Sequence, residues 1–187
     1  MRIGIDISQL AYENTGVANY LKNLVEQLLA QDSTNEYVLF YAGFRRNLPE
    51  SKFWEKGGKI RSERLPTGAK LTISQYKLPL KVLDLLWNKL HIVSIEAFIG
   101  NVDIFITSDW TEPPTKKAKK ATILYDLIVY KYPEETAEEI VTVQKRKLHW
   151  VKKESEAILC ISEATKKDAM EILQVPEKRL HVIYPGF

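Results

Sequence analysis

The sequence predicts an α/β protein: a parallel sheet with helices on both faces, Rossmann-like in architecture. Three observations predict it. Short runs rich in β-branched and aromatic residues alternate with stretches of helical periodicity. Strands alternating with helices imply βαβ units and hence parallel pairing. The chain of 187 residues, 45% hydrophobic and 27% charged, is globular in composition and long enough to bury a substantial core, so one domain spanning 1–187 is expected.

Residues 2–7 (RIGIDI) form the first predicted strand. A helix is expected over 17–31, where Val17, Leu21, Leu24, Val25, Leu28 and Leu29 share one face at helical spacing. Further strands are expected at 36–42, 59–65, 103–107, 121–125, 157–161 and 180–184. A long helix is expected over 134–154. Another is expected over 162–173, with Ser162 as its N-cap and Glu163 beside the positive helix end. Residues 43–58 read as a polar loop turning at Gly57 and Gly58, and 72–100 as a mostly helical apolar stretch whose Leu83–Leu90 run reads as core.

Composition excludes several functions. A net charge of +3 with scattered Lys and Arg gives no stripe for nucleic acid. The single cysteine, Cys160, excludes an internal disulfide framework and, in its apolar run, reads as a buried inert thiol. His91, His149 and His181 lack metal-ligand spacing, so no metal site is expected. The N-terminus turns polar too early for a signal peptide, and no stretch approaches the roughly 20 apolar residues of a membrane span. A cytoplasmic protein is expected, with room for peripheral contact at the inner face of the membrane.

The segments hardest to explain as core each follow the carboxyl end of a predicted strand: SQLAYENTGVANY, SDWTEPP, DLIVYKYPEE, SEATKKD and the terminal PGF. If the strands are parallel, all five loops line the rim where open α/β sheets bind ligands. Thr15-Gly16 opens a helix; this is either a tight strand-to-helix turn or a place where a phosphate approaches free amides. Tyr125-Asp126 ends a buried strand, and the carboxylate either orients a sugar hydroxyl or accepts loop amides. Trp110 beside Pro113 and Pro114 reads either as a platform for a sugar ring or as an aromatic packing its own loop. Lys116, Lys117, Lys119 and Lys120 read either as a solvated loop or as a contact with anionic lipid or a phosphate-bearing acceptor.

Four segments together resemble the N-terminal domain of family 4 retaining glycosyltransferases, the mannosyl- and glucosyltransferase family with the GT-B fold. They are GIDISQLAYENTGVANYLKNLVEQLL, NVDIFITSDWTEPP, ATILYDLIVYKYPEE and SEAILCISEATKKDAMEILQVPEKRLHVIYPGF. The resemblance implies that Gly16, after Thr15, belongs to the glycine loop that approaches the donor phosphates. It places Asp126 beside the acceptor and the transferred sugar, and it makes Ser162 and Glu163 the Ser-Glu pair opening a cleft-facing helix. Tyr125 stands where the family carries a histidine that contacts the transferred sugar. Trp110, Pro113, Lys116 and Lys117 are expected on the acceptor rim.

The resemblance further implies transfer of a sugar from a nucleotide-sugar donor to an acceptor hydroxyl with retention, without a metal or other cofactor. The family's C-terminal domain, which binds the nucleotide sugar through a basic pair and a Glu-x7-Glu motif, is not among these residues. The partners expected are therefore that domain, in the same or a second chain, and a sugar or lipid-linked sugar acceptor. By itself the chain is expected to be inactive. The alternative is a stand-alone binding module or split-enzyme subunit that pairs with a separate donor-binding chain.

Overall fold

The structure is a computed structural model that describes residues 1–186; Phe187, in the last of the rim loops named above, lies outside them. Seven strands form one wholly parallel sheet: β1 (Arg2–Asp6), β2 (Glu36–Ala42), β3 (Lys70–Tyr76), β4 (Ile104–Thr107), β5 (Lys119–Leu124), β6 (Ala157–Cys160) and β7 (Leu180–Val182). Their order across the sheet is β3-β2-β1-β4-β5-β6-β7. The helical elements are α1 (Gly16–Gln31), α2 (Leu80–Leu83), α3 (Glu96–Ile99), α4 (Ile128–Lys131), α5 (Glu138–Glu154) and α6 (Glu163–Glu171). The sheet is the Rossmann-like architecture expected from the strand–helix alternation.

Period-two alternation divides the core. On one face Ile5, Leu39, Ile123 and Leu159 pack with Leu21, Val25 and Leu29 of α1. On the other face, Val38, Phe40 and Phe105 meet Leu83, Trp87 and Ile99, while Leu124 and Ile158 meet Leu148 and Val151 of α5 and Ala169 of α6. Both faces of the sheet are covered, which a parallel sheet requires.

The expected third strand is displaced. Residues 59–65 instead make a single antiparallel bridge, Ile60 to Trp54, and a 3-10 turn at Ser62–Arg64. The strand lies at Lys70–Tyr76, within the stretch read as helical. Alternation decides it: Leu71 and Ile73 fall on the α1 face and Tyr76 on the other, in register with Tyr37, Leu39 and Ala42 of β2. The 43–58 segment is not merely a polar loop either, because Leu48, Phe53 and Trp54 are buried against α1's face of the sheet. Its turn does sit at Gly57 and Gly58, both at positive φ (88° and 89°).

Beyond β3 the chain is only partly helical. The short α2 runs into a π-helical turn, Asp84–Lys89, which buries Trp87 and leaves Leu85 and Leu90 exposed, so the Leu83–Leu90 run is core on one side only. The helix expected to begin at 134 begins at Glu138, because Pro133–Glu135 makes a separate 3-10 turn. Among the described residues no helix is long and apolar enough to cross a membrane.

Candidate functional site

β1 and β4 are neighbours although β2 and β3 lie between them in the chain. The strand order reverses there, and the crevice outside the carboxyl ends of these strands is where open α/β sheets bind ligands. The sequence-predicted residues can be located against it. Thr15-Gly16 follows β1, Trp110 follows β4, Tyr125-Asp126 follows β5, and Ser162-Glu163 follows β6. Since every strand runs the same way, all of these lie on one rim.

Thr15 caps α1, its hydroxyl accepting from the Ala18 amide at 3.2 Å. Gly16 is the first residue of α1, and a Cβ built on it meets no atom within 4 Å. The chain itself therefore leaves open space over the first turn of α1. Ser162 caps α6, accepting from the Thr165 amide at 3.1 Å. Thr165 in turn donates to the Tyr125 carbonyl at 3.0 Å, tying the α6 turn to the β5 turn. Glu163 is exposed beside it.

Tyr125 is buried, edge-on to Tyr20 at 5.6 Å, and its hydroxyl shares a 3.1 Å hydrogen bond with the Ser108 hydroxyl. Burial pushes the phenol well above its ordinary value, so Tyr125 is a neutral hydroxyl at physiological pH. Asp126 is exposed, and its Oδ1 accepts from the Ile128 amide at 3.0 Å. The loop-amide reading of this carboxylate is thus realised for one oxygen. Trp110 is half-buried and donates from Nε1 to Gln9 Oε1 at 3.0 Å, which bridges the β4 and β1 turns.

Three of the expected rim residues belong elsewhere. Pro113 is buried, and its carbonyl accepts from Lys120 Nζ at 3.0 Å, so it offers no surface to a ligand. Lys116 and Lys117 lie just before β5, whose first residue Lys119 pairs with Ile104 at the start of β4. They sit at the amino edge of the sheet, where the Glu96 carboxylate accepts their amides at 2.8 and 3.1 Å. The reason is the path from β4 to β5, which must cross from the carboxyl rim back to the amino edge. Nor is Lys120 part of a solvated loop: it lies inside β5 and is buried against Glu112 (3.3 Å) and Glu154 (2.6 Å).

Sequence reading missed the groups beneath the rim. Glu112 is fully buried and accepts from Thr107 (2.6 Å) and Ser155 (3.1 Å) as well as pairing with Lys120. Lys147 of α5 is buried, with Nζ donating to the Ser108 carbonyl; desolvation lowers its pKa, opposed by Glu112, Asp109 and Asp6. Burial raises Asp6, at the end of β1, and Asp109. Asp109 also accepts from Gln144 Nε2 at 3.2 Å. A signal did exist for Lys147: Gln144 and Lys147 share helical spacing with Val141, Leu148 and Val151, so they are polar residues on a core-facing stripe. Cys160 is buried, which pushes its thiol up to about 11, so it stays a thiol at neutral pH.

Two cavities open on the rim, and Trp110 lines both. One, of about 310 Å³, lies over β5 and collects Val17, Asp109, Tyr125, Asp126 and Lys147. The other, of about 210 Å³, lies over β1 and β2 and collects Asp6, Gln9, Tyr12, Arg45 and Arg46. Among the described residues no cluster of three His, Cys, Asp or Glu side chains is arranged to hold a metal. Chemically, the first cavity presents two carboxylates, Asp109 and Asp126, the Lys147 amine, a neutral phenol and Val17 of the first turn of α1 to one volume. The second presents two guanidinium groups.

Neither a protein-family model nor a curated protein matches the chain. Among solved structures it is similar to Anabaena HepE, crystallised in complex with UDP, at 11% identity and a TM-score of 0.45. That match covers 100% of this chain and 44% of HepE, so the chain spans less than half the length of that protein. The fold is a Rossmann-like α/β sheet with Thr15, Gly16, Trp110, Tyr125, Asp126, Ser162 and Glu163 in the loops of its carboxyl rim.

Proposed function

We propose that this chain is the acceptor-side half of a glycosyltransferase of the GT-B kind, similar to family 4, which moves a hexosyl group from a nucleotide sugar to an acceptor hydroxyl with retention. One observation carries the reading. The loops that hold the glycosyltransferase-like motifs converge on one rim, where Val17, Tyr125 and Asp126 line a single cavity. In the reaction the bond from the anomeric carbon to the diphosphate breaks, a bond from that carbon to the acceptor oxygen forms, and the acceptor proton leaves with the diphosphate. The first turn of α1 supplies amides and the positive end of a dipole to the departing phosphates. Asp126 orients a sugar hydroxyl, and Tyr125, held neutral, offers a hydroxyl where the family has a histidine. Ser162 and Glu163 open α6 on the same rim. A donor-binding domain, in this or a second chain, closes over the rim, expels water and aligns the reactants. The 187 residues alone should give no turnover.

The test is a nucleotide-sugar panel assayed with the complete gene product and with its Asp126→Ala variant. We expect one donor to be consumed and the variant to lose roughly a hundredfold or more in rate. Transfer unchanged in Asp126→Ala removes Asp126 from the site. Turnover by the 187-residue chain alone contradicts the half-site reading.

A further inference from the structure

The cavity over β1 and β2 is not used by the chemistry above, yet it is built with care. Gly43 ends β2 in a turn with no room for a side chain: a Cβ there would lie 2.5 Å from the Arg46 carbonyl and 2.6 Å from the Tyr41 ring. The Tyr41 hydroxyl donates to that same carbonyl at 3.1 Å, and the Gly43 amide donates to the Tyr76 carbonyl at 3.0 Å. The turn is thereby folded back towards the end of β1. There Arg46 Nη1 donates to the Ala11 carbonyl at 2.6 Å and its guanidinium sits 4.9 Å above the Tyr12 ring. One arginine is fixed in place, and the next, Arg45, lines the same volume.

Both arginines are exposed, and each guanidinium meets an aromatic ring rather than a carboxylate, Arg45 over Phe44 at 5.6 Å and Arg46 over Tyr12. Arg2, Arg61 and Arg146 each pair with a carboxylate, whereas among the described residues Arg45, Arg46, Arg64 and Arg179 form no ion pair, and of these four only Arg45 and Arg46 line this cavity. Among the described residues the only acid lining the cavity is Asp6, which is buried and whose Oδ1 already accepts from the Ser8 amide at 2.9 Å. Trp110, Leu78 and Leu83 supply apolar surface to the same cavity. At about 210 Å³ the cavity is smaller than the roughly 300–1,000 Å³ of sites that enclose drug-sized ligands, so it suits one small group rather than a nucleotide.

We propose that the Arg45–Arg46 cavity is the subsite for an oxyanion carried by the acceptor sugar, a phosphate ester or a carboxylate, with Trp110 as the platform for the sugar ring. Guanidinium forks match both groups in bidentate geometry. Trp110 also lines the cavity of Tyr125 and Asp126, so a ring lying on it borders both cavities. Identifying the ligand as an acceptor rests on the glycosyl-transfer reading, whereas anion binding rests on the cavity alone.

Calorimetric titration of the 187-residue chain with glucose 6-phosphate, glucuronate and glucose tests it. The anionic sugars should bind roughly tenfold or more tightly than glucose, and Arg45→Gln and Arg46→Gln should each erase most of that preference. Whichever anion binds more tightly names the group. Arg64→Gln, at an exposed arginine outside the cavity, should bind as wild type. Because Arg46 also anchors the Ala11 carbonyl, thermal melts accompany each variant, and Arg45→Gln decides should Arg46→Gln unfold. Equal binding of glucose and its phosphate, no binding of any of the three, or full preference retained in Arg45→Gln overturns the subsite. Transfer by the complete gene product to neutral acceptors alone would remove the subsite and leave glycosyl transfer standing. Anion preference without transfer would do the reverse.

Discussion

The two walls of the rim crevice are built on opposite principles. Behind the β4–β5 wall lies a lattice of buried charges: Glu112 with Lys120 and Ser155, Lys120 with Glu154, and Lys147 on the Ser108 carbonyl. The β1–α1 wall is backed by a single buried carboxylate, Asp6, which accepts from the Ser8 amide at 2.9 Å. Its turn carries exposed Tyr12, Glu13 and Asn14, a single threonine cap and a glycine with open space above it. The difference assigns roles. Tyr125 is held through the Ser108 hydroxyl and Trp110 through Gln9 and Asn88 before any ligand arrives. The α1 turn is left clear of other atoms of the chain.

If that contrast is right, substitutions behind the two walls separate stability from binding. Lys120→Met should have the largest effect. It leaves fully buried Glu112 without its cation and should cost about 3–5 kcal/mol in urea unfolding. A loss of under about 1 kcal/mol would mean that the lattice does not support the wall. Glu154→Gln sharpens the same side through pH. Desolvation opposes the shift, but Lys120 and His91 outweigh it and hold the Glu154 carboxyl below its ordinary value of 4.5. A depressed carboxyl contributes stability above its unfolded value that is lost as pH falls through the folded one. The gap between wild type and Glu154→Gln should therefore be widest near neutral pH and narrow below about 4.5; a pH-independent gap would discount the ion pair.

On the open wall the stability effects shrink. Thr15→Ala removes the α1 cap and should cost about 1 kcal/mol. Gly16→Ala meets no atom of the chain and should change stability by less than about 1 kcal/mol. In the complete gene product, by contrast, it should slow sugar transfer on the order of tenfold or more, because a methyl there would hold the donor phosphates off the helix. Gly16→Ala with wild-type transfer would make this glycine a simple turn.

What was legible in the sequence follows the same division. Central strands read clearly because both faces are buried and their runs of aliphatic and aromatic residues are nearly continuous, as in Tyr37–Tyr41 and Ala121–Leu124. The edge strand was misplaced because Lys70–Tyr76 is only half-buried and its short alternation resembles that of 59–65. Rim residues were legible because parallel strands place every β-to-α turn on one side. Pro113, Lys116 and Lys117 were misassigned because a strand-to-strand crossing traverses the sheet, and nothing in local sequence marks where it leaves the rim. Glu112, Lys120 and Lys147 were hidden because a charged residue reads as exposed until its partner is known. Glu112 and Glu154 reach Lys120 from positions far apart in the chain.

Hydrogen–deuterium exchange of the complete gene product, with and without its nucleotide sugar and acceptor, tests the location of the site most directly. Protection concentrated in residues 9–18 and 109–129, on the carboxyl rim, is the predicted result. Protection confined to the amino edge around Lys116 and Lys117, or absent from both rim segments, would contradict it.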